Sequence, residues 1–273
     1  MTTEPYLADQ VAIVTGGANG LGEGCVSALA RRGATTVIAD IDAEKGASVA
    51  AALKAKGAET LFVHCDVTAS EQLAAMVDRT VAEFGKINIL VNNVGGVHQR
   101  MFVDSFERSW RKHIDLNLVS MLAATHAVLR HMIAGQRGGS IVNISSIEGV
   151  RGAPGFAVYA ACKAGMLNFT RSLAAEVAAY GIRVNAVAPD IIQTPGVAQF
   201  LPDTAEVKAA VERYVPLRRK GKPDEVGEVV SFLCSPMASY LTGITVPIDG
   251  GTAAVAGFTR SSQNEADWAV LHF

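Results

Sequence analysis

The sequence predicts a single α/β domain built on a doubly wound, mostly parallel sheet of seven strands, and three observations carry that prediction. Short apolar runs alternate with longer stretches of helical periodicity, the pattern of strand–helix–strand units whose helices cover both faces of a sheet. Hydrophobic residues make up 49% of the 273, enough for strands buried on both sides. A glycine string lies between the first apolar run and the first helical one. Neither an internal repeat nor a linker-like shift in composition interrupts the series, so one domain over 1–251 is expected, followed by a C-terminal tail over 252–273.

Residues 11–14, VAIV, read as the first strand, and the chain passes at once through Thr15-Gly16-Gly17-Ala18-Asn19-Gly20-Leu21-Gly22 into a helical pattern over 23–32 that Gly33 stops. In that strand–turn–helix setting Gly16, Gly20 and Gly22 allow a tight turn, let backbone N–H groups approach a pyrophosphate and let the helix pack close to the strand. The helix N-terminus adds a favourable field for the anion. The second strand, 36–39, ends in Asp40, 18 residues after Gly22, near the distance at which a carboxylate meets an adenosine ribose. Facing the 2′ position, Asp40 accepts hydrogen bonds from the free hydroxyls of NAD and repels the 2′-phosphate of NADP. Two charges ~4 Å apart at an effective dielectric of ~20 interact by roughly 4 kcal/mol, and a third of that is about tenfold in preference. No compensating base is near: Asn19 is neutral, Ile41 follows the acid, and Arg31 and Arg32 fall at the far end of the first helix. NAD is the expected cofactor.

Further strands are expected at 61–64, 87–91, 141–144, 182–188 and 245–248, separated by helical patterns at 44–56, 71–84, 106–132 and near 224–234. Pro247 lacks a donor and suits an edge strand or strand end. The strand over 141–144 runs into Ser145 and Ser146, then a broken stretch with Gly149, Gly152, Pro154 and Gly155, then a small-residue helix from about Phe156. Tyr159 and Lys163, four apart, share one face of it. A phenol titrates near ~10, and an adjacent ammonium is expected to lower that value toward neutrality. A hydroxyl, a tunable phenol and a cation together can move a proton on or off an alcohol oxygen.

The formal net charge of −2, without blocks of like charge, disfavours nucleic acid or an anionic membrane as partner. The N-terminal residues show no secretory pattern, and no apolar run reads as long enough to cross a bilayer. Four scattered cysteines without C-x-x-C read as reduced thiols of a cytoplasmic enzyme, and the six histidines show no metal-binding spacing, so no metal is expected.

Taken in order, Thr15–Gly22, Asp40, Asp66-Val67, Asn92-Asn93-Val94-Gly95, Asn117, Ser146, Tyr159-x-x-x-Lys163 and Asn185 through Pro189 with Thr194 give a chain that resembles the short-chain dehydrogenase/reductase family over roughly 8–251. The resemblance implies a Rossmann-like fold. It makes Tyr159 the general acid/base, Ser146 (13 residues earlier, hence preferred to Ser145) the holder of the substrate oxygen, and Lys163 the residue that binds the nicotinamide ribose and lowers the Tyr159 pKa. Asn117 would position a water of a proton relay. Asp66 and Val67 would meet the adenine, Asn93 and Gly95 the adenosine side, and Ile192 and Thr194 the carboxamide, with Pro189, Asn19, Leu21 and Ile41 completing the cofactor set. Two departures stand out: Val94 replaces the family's usual alanine, and the usual Pro-Gly pair reads Pro189-Asp190.

Substrate specificity is expected in loops at the carboxyl ends of the strands: 96–100, 148–156 and a lid over about 189–215 carrying Pro195, Val197, Phe200, Leu201 and Pro202. Among the polar loop residues His98, Gln99, Glu148 and Gln193, Glu148 is the expected substrate contact beside Ser146 and Tyr159. The substrate read from these loops is a largely apolar secondary alcohol, cyclic, steroid-like or a dihydrodiol. The alternatives are a 3-oxoacyl-carrier-protein reductase, which would go with NADPH and a basic docking patch, and a non-catalytic dinucleotide-binding scaffold or sensor. The resemblance also implies a homotetramer using the helices at 106–132 and 156–180, and the apolar residues of the tail suggest packing on a neighbouring subunit.

Overall fold

The computed structural model describes residues 5–255, 258–260 and 268–270. Seven strands, β1 (Val11–Thr15), β2 (Thr35–Asp40), β3 (Thr60–His64), β4 (Ile89–Asn92), β5 (Gly139–Ile144), β6 (Ile182–Pro189) and β7 (Thr245–Ile248), form one parallel sheet in the order β3-β2-β1-β4-β5-β6-β7. The helices are α1 (Gly20–Arg31), α2 (Ala43–Lys54), α3 (Ser70–Phe84), α4 (Glu107–Ile114), α5 (Ser120–Gly135), α6 (Ala157–Val177), α7 (Pro195–Ala198), α8 (Ala205–Tyr214) and α9 (Pro223–Cys234). In the tail, β8 (Phe258–Arg260) and β9 (Trp268–Val270) pair antiparallel, and the rest of the tail beyond Val255 lies outside the described residues.

Every residue of β1 is buried, because both faces of the sheet are covered. The two-residue period sorts its side chains: Ala12 and Val14 join the core beneath α1 and α9, and Val11 and Ile13 join the core beneath α3, α5 and α6. Glycines set the approach of α1 to α9. A Cβ on Gly227 would stand 2.3 Å from the Gly24 carbonyl oxygen, and one on Gly24 would stand 2.5 Å from that of Pro223. On the opposite side a buried polar chain staples strands to helices. Asn92 Nδ2 donates to Thr125 Oγ1 (2.9 Å) and to Asn143 Oδ1 (2.8 Å), and Asn143 Nδ2 donates to Thr170 Oγ1 (2.9 Å). Pro247 sits in β7, the edge strand, as its missing donor requires.

The helix expected over 106–132 is interrupted. Between α4 and α5 the backbone widens into a π-turn at Asp115–Val119. The side chain of Asn117 explains it: Nδ2 donates to the His113 carbonyl (3.0 Å), the oxygen a regular helix would offer to the Asn117 backbone N–H. Taken together with its π-turn, the helical stretch Glu107–Gly135 is also long and apolar enough, by length and composition alone, to cross a bilayer, which corrects the sequence reading. Met121, Ala124, Val128 and Met132 of this stretch are instead buried within the protein.

Gly227→Ala should force α1 and α9 apart and lower stability by about 2–3 kcal/mol. Chemical denaturation measures this, and an unchanged midpoint would contradict the close packing described.

Candidate active site

The strand order reverses between β1 and β4, and at that switch point the carboxyl ends of the strands open onto a cleft of about 370 Å³. Gly16, Asn19, Gly20, Leu21, Asp40, Ile41, Asp66, Val67, Asn93, Gly95 and Thr194 all line it. Gly22 does not. It serves packing, since a Cβ there would stand 1.9 Å from the Gly16 carbonyl oxygen. Gly16 (φ +63) and Gly20 (φ +54) turn the chain through the left-handed region, so that the 12-residue α1 begins facing the cleft.

At the β2 end, Asp40 is fixed by two backbone donors: Ala18 N to Oδ2 and Asp42 N to Oδ1, both 2.9 Å. Among the described residues no lysine or arginine lines the cleft around it. Asp66 accepts from both the backbone and the hydroxyl of Thr68, and these bonds hold its carboxyl below the usual range. Asn93 donates through Nδ2 to the carbonyls of Thr15 and Gly16 (both 3.0 Å), tying the end of β4 to the glycine turn. Val94, the first departure, also lines the cleft, with Cγ2 3.0 Å from where a Cβ on Gly16 would be. Thr194 caps α7 by accepting from Val197 N (3.2 Å). Ile192 is 3% exposed and turned into the core, and its N–H bonds to the Asp190 carbonyl, so its side chain does not reach the cleft. Pro189 ends β6, with its carbonyl 3.4 Å from Ser146 Oγ.

Lys163 stands next to Gly95 of this cleft, and its Nζ faces the Tyr159 ring. β5 delivers two serines with different partners: Ser145 donates to the Lys163 carbonyl (3.0 Å), while Ser146 donates to the Glu148 carboxylate. Lys163 is buried in α6, and its Nζ donates to the Ile144 carbonyl (2.8 Å) and lies 5.6 Å from the centroid of the Tyr159 ring. Gly95 joins the two regions. It lines the cleft, and a Cβ on it would stand 3.3 Å from Lys163 Nζ and 2.9 Å from Asn117 Oδ1. The Asn117 amide is committed to Gly96, accepting from its N–H and donating to its carbonyl (both 3.0 Å), so it braces the turn after β4.

The expectation that Lys163 lowers the Tyr159 pKa does not hold for the protein alone. Burial dominates and pushes the phenol up to about 12, against a hydrogen bond from Ser146 that pulls it down. Burial likewise pulls the Lys163 ammonium down to about 8.

Sequence reasoning singled out Asp190 without assigning it partners and missed Arg151 and Thr252. Arg151 Nη2 reaches Glu148 Oε1 (3.3 Å) and Asp190 Oδ2 (3.1 Å), Thr252 donates to the same Asp190 oxygen, and the guanidinium lies 5.8 Å from the ring centroid of Tyr214 in α8. The available signal was one arginine among two acids in neighbouring loops. Gln99 reaches Gly155, bringing the 96–100 and 148–156 segments together, while His98 lies 6.4 Å from His113 between ring centroids.

A glycine cradle at a helix N-terminus, an acid at the end of the second strand and a Ser–Tyr–Lys set at the cleft define a dinucleotide-dependent oxidoreductase. Residues 16–253 match the family model described as enoyl-(acyl carrier protein) reductase. The chain is 43% identical over 249 residues, 91% of it and 98% of the relative, to cis-4-hydroxycyclohexanecarboxylate dehydrogenase of Sinomonas cyclohexanicum. It is 40% identical over 248 residues, 90% of it and 98% of the relative, to the 3-oxoacyl-[acyl-carrier-protein] reductase FabG of Chlamydia muridarum. The crystal structure of gox2181 superposes with a TM-score of 0.86 at 37% identity, covering 93% of this chain and 100% of that one. The chain belongs to the short-chain dehydrogenase/reductase family. It is therefore an oxidoreductase acting on alcohol groups with a nicotinamide dinucleotide.

A lysine with a depressed pKa holds extra protons in the unfolded chain, so its burial destabilises the fold fully below pH 8, and the cost fades as pH rises toward the ordinary 10.5. Lys163→Met should melt roughly 3–8 °C above the wild type at pH 7 while losing turnover, with the gap closing between pH 8 and 10.5. Melting curves across that range check it; equal melting at pH 7 counts against the buried-charge account.

Proposed function

We propose that this protein is an NAD-dependent dehydrogenase or reductase interconverting a secondary alcohol and a ketone on a largely apolar, cyclic substrate. The observation that carries this reading is the pairing of Asp40, held by two backbone donors at one part of the cleft, with Lys163, which stands beside Gly95 at another and faces the Tyr159 ring. The glycine turn and the α1 N-terminus would hold the diphosphate, Asp40 the adenosine ribose, Asp66, Val67 and Ile41 the adenine region, and Lys163 the ribose next to the reacting ring. Bound NAD supplies the hydride acceptor. In oxidation the Tyr159 phenolate takes the hydroxyl proton and Ser146 holds the oxygen. The dehydrogenase from Sinomonas named above, whose name gives a hydroxylated six-membered ring as substrate, supports a cyclic alcohol. Glu148 is assigned to the substrate end of the site through its bond to Ser146.

The FabG relative keeps a 3-oxoacyl-carrier-protein reductase in view. Asp40 without a basic neighbour in the cleft and a net charge of −2 favour the first reading, since that reductase chemistry goes with NADPH and a basic docking face. Four free, buried cysteines fit a cytoplasmic setting. An apolar groove of about 430 Å³ between α4 and α6, lined by Trp110, Ile114, Leu118 and Val158, supports a homotetramer that covers this face.

The test is NADH formation across a panel of cyclic secondary alcohols, steroids and dihydrodiols, with NADP⁺ in parallel and a 3-oxoacyl thioester in the reverse direction. Tyr159→Phe should lose roughly 10²–10⁴ in rate with NAD binding retained; full turnover in that variant would remove the phenol from the chemistry and revive a scaffold role. Asp40→Ala should narrow the preference for NAD over NADP by about tenfold, and unchanged coenzyme selectivity would contradict the assignment of that carboxylate.

A further inference from the structure

We propose that Glu148 sets the substrate class at the carbon next to the reacting one. The site takes a cyclic secondary alcohol whose adjacent carbon carries a neutral hydrogen-bond donor, a vicinal diol above all, and turns away a carboxylate in that place. On the alcohol–ketone reading above, on which this rests, Ser146 holds the reacting oxygen.

Ser146 Oγ donates to Glu148 Oε2, and its other two contacts are weak: the Glu148 N–H and the Pro189 carbonyl, both at 3.4 Å. The Glu148 carboxylate and the reacting oxygen are therefore partners of one hydroxyl. Two partners of a tetrahedral oxygen, each at an ordinary O–H···O distance of about 2.7 Å, stand roughly 4–5 Å apart. A hydroxyl on the adjacent carbon lies within one hydrogen-bond length of the reacting oxygen, so it spans that gap and donates to the carboxylate. Glu148 has room for it. A carboxylate offers about four lone-pair sites, of which Ser146 takes one on Oε2 and Arg151 Nη2 takes one on Oε1 (3.3 Å). The Glu148 side chain is 20% exposed, so the remaining sites are within reach of a ligand.

The same neighbourhood has no charge to spare for an anion. Arg151 Nη2, already on Glu148, also reaches Asp190 Oδ2 (3.1 Å), an oxygen that accepts from Thr252 as well. The Tyr214 ring, 5.8 Å from the guanidinium, helps to hold it there. Two carboxylates sharing one guanidinium leave the cluster one negative charge in excess. A carboxylate on the adjacent carbon faces Glu148 with no proton to give and a charge of the same sign, whereas a hydroxyl gives a proton to an ionised acceptor.

The experiment measures kcat/KM with NAD for three matched rings: cyclohexanol, 1,2-cyclohexanediol in its cis and trans forms, and 2-hydroxycyclohexanecarboxylate. In the wild type one form of the diol should exceed cyclohexanol by roughly tenfold, and the hydroxy acid should fall below cyclohexanol by at least as much. Glu148→Gln keeps the size and an acceptor but removes the charge, so both ratios should shrink toward unity. Asp190→Asn relieves the guanidinium of one acid and should raise the hydroxy acid relative to cyclohexanol while the diol keeps its advantage. Each comparison is a ratio within one protein, so a general loss of rate or stability in a variant does not enter it. A wild type that uses the hydroxy acid as well as cyclohexanol, or neither diol better, overturns the proposal while the alcohol–ketone reading stands. Ratios that Glu148→Gln leaves unchanged overturn it too and mark Glu148 as structural. A wild type that oxidises none of the three rings fails the alcohol–ketone reading, and this proposal with it.

Discussion

The site depends on one buried contact, the bond from the Lys163 ammonium to the Ile144 carbonyl at the end of β5. A lysine 3% exposed is costly, and the fold meets that cost where a strand stops, because a terminal carbonyl no longer has a ladder partner on every side. This bond and the Ser145 hydroxyl on the Lys163 carbonyl clamp α6 to β5 from both ends of one residue. Gly149 completes the approach, since a Cβ there would stand 2.8 Å from the Lys163 carbonyl carbon. With the helix seated this closely, Tyr159, one turn earlier on the same face, is positioned with it.

The fold was legible because it is written in periodicity: runs such as VAIV at 11–14 must be buried on both faces, and the glycine turn has meaning only between a strand and a helix. The cleft at the switch point was legible for the same reason, since its lining residues follow strand ends that the pattern locates. What pattern could not show was where side-chain hydrogen bonds go. Asn93 reads as a contact to the adenosine side and Asn117 as the holder of a relay water, and spacing does not show that their amides also brace the glycine turn and the segment after β4. The π-turn escaped notice because a single side chain competing for the His113 carbonyl leaves apolar spacing unchanged. The sign of the Tyr159 shift was misjudged because spacing supplies a neighbouring charge but not the depth of burial.

Asp190 shows how a single departure from a family pattern can reorganise a neighbourhood. A carboxylate 7% exposed at the end of β6 has its pKa raised by burial, and Thr252 and Arg151 act against that shift. Arg151, once drawn to Asp190, lies within reach of Glu148 and over Tyr214, so α8, the end of β6 and the loop after Ser146 share one guanidinium. That guanidinium faces two carboxylates and has little positive charge left for an anionic substrate group. A third carboxylate brought beside this cluster would meet two acids that already share one guanidinium.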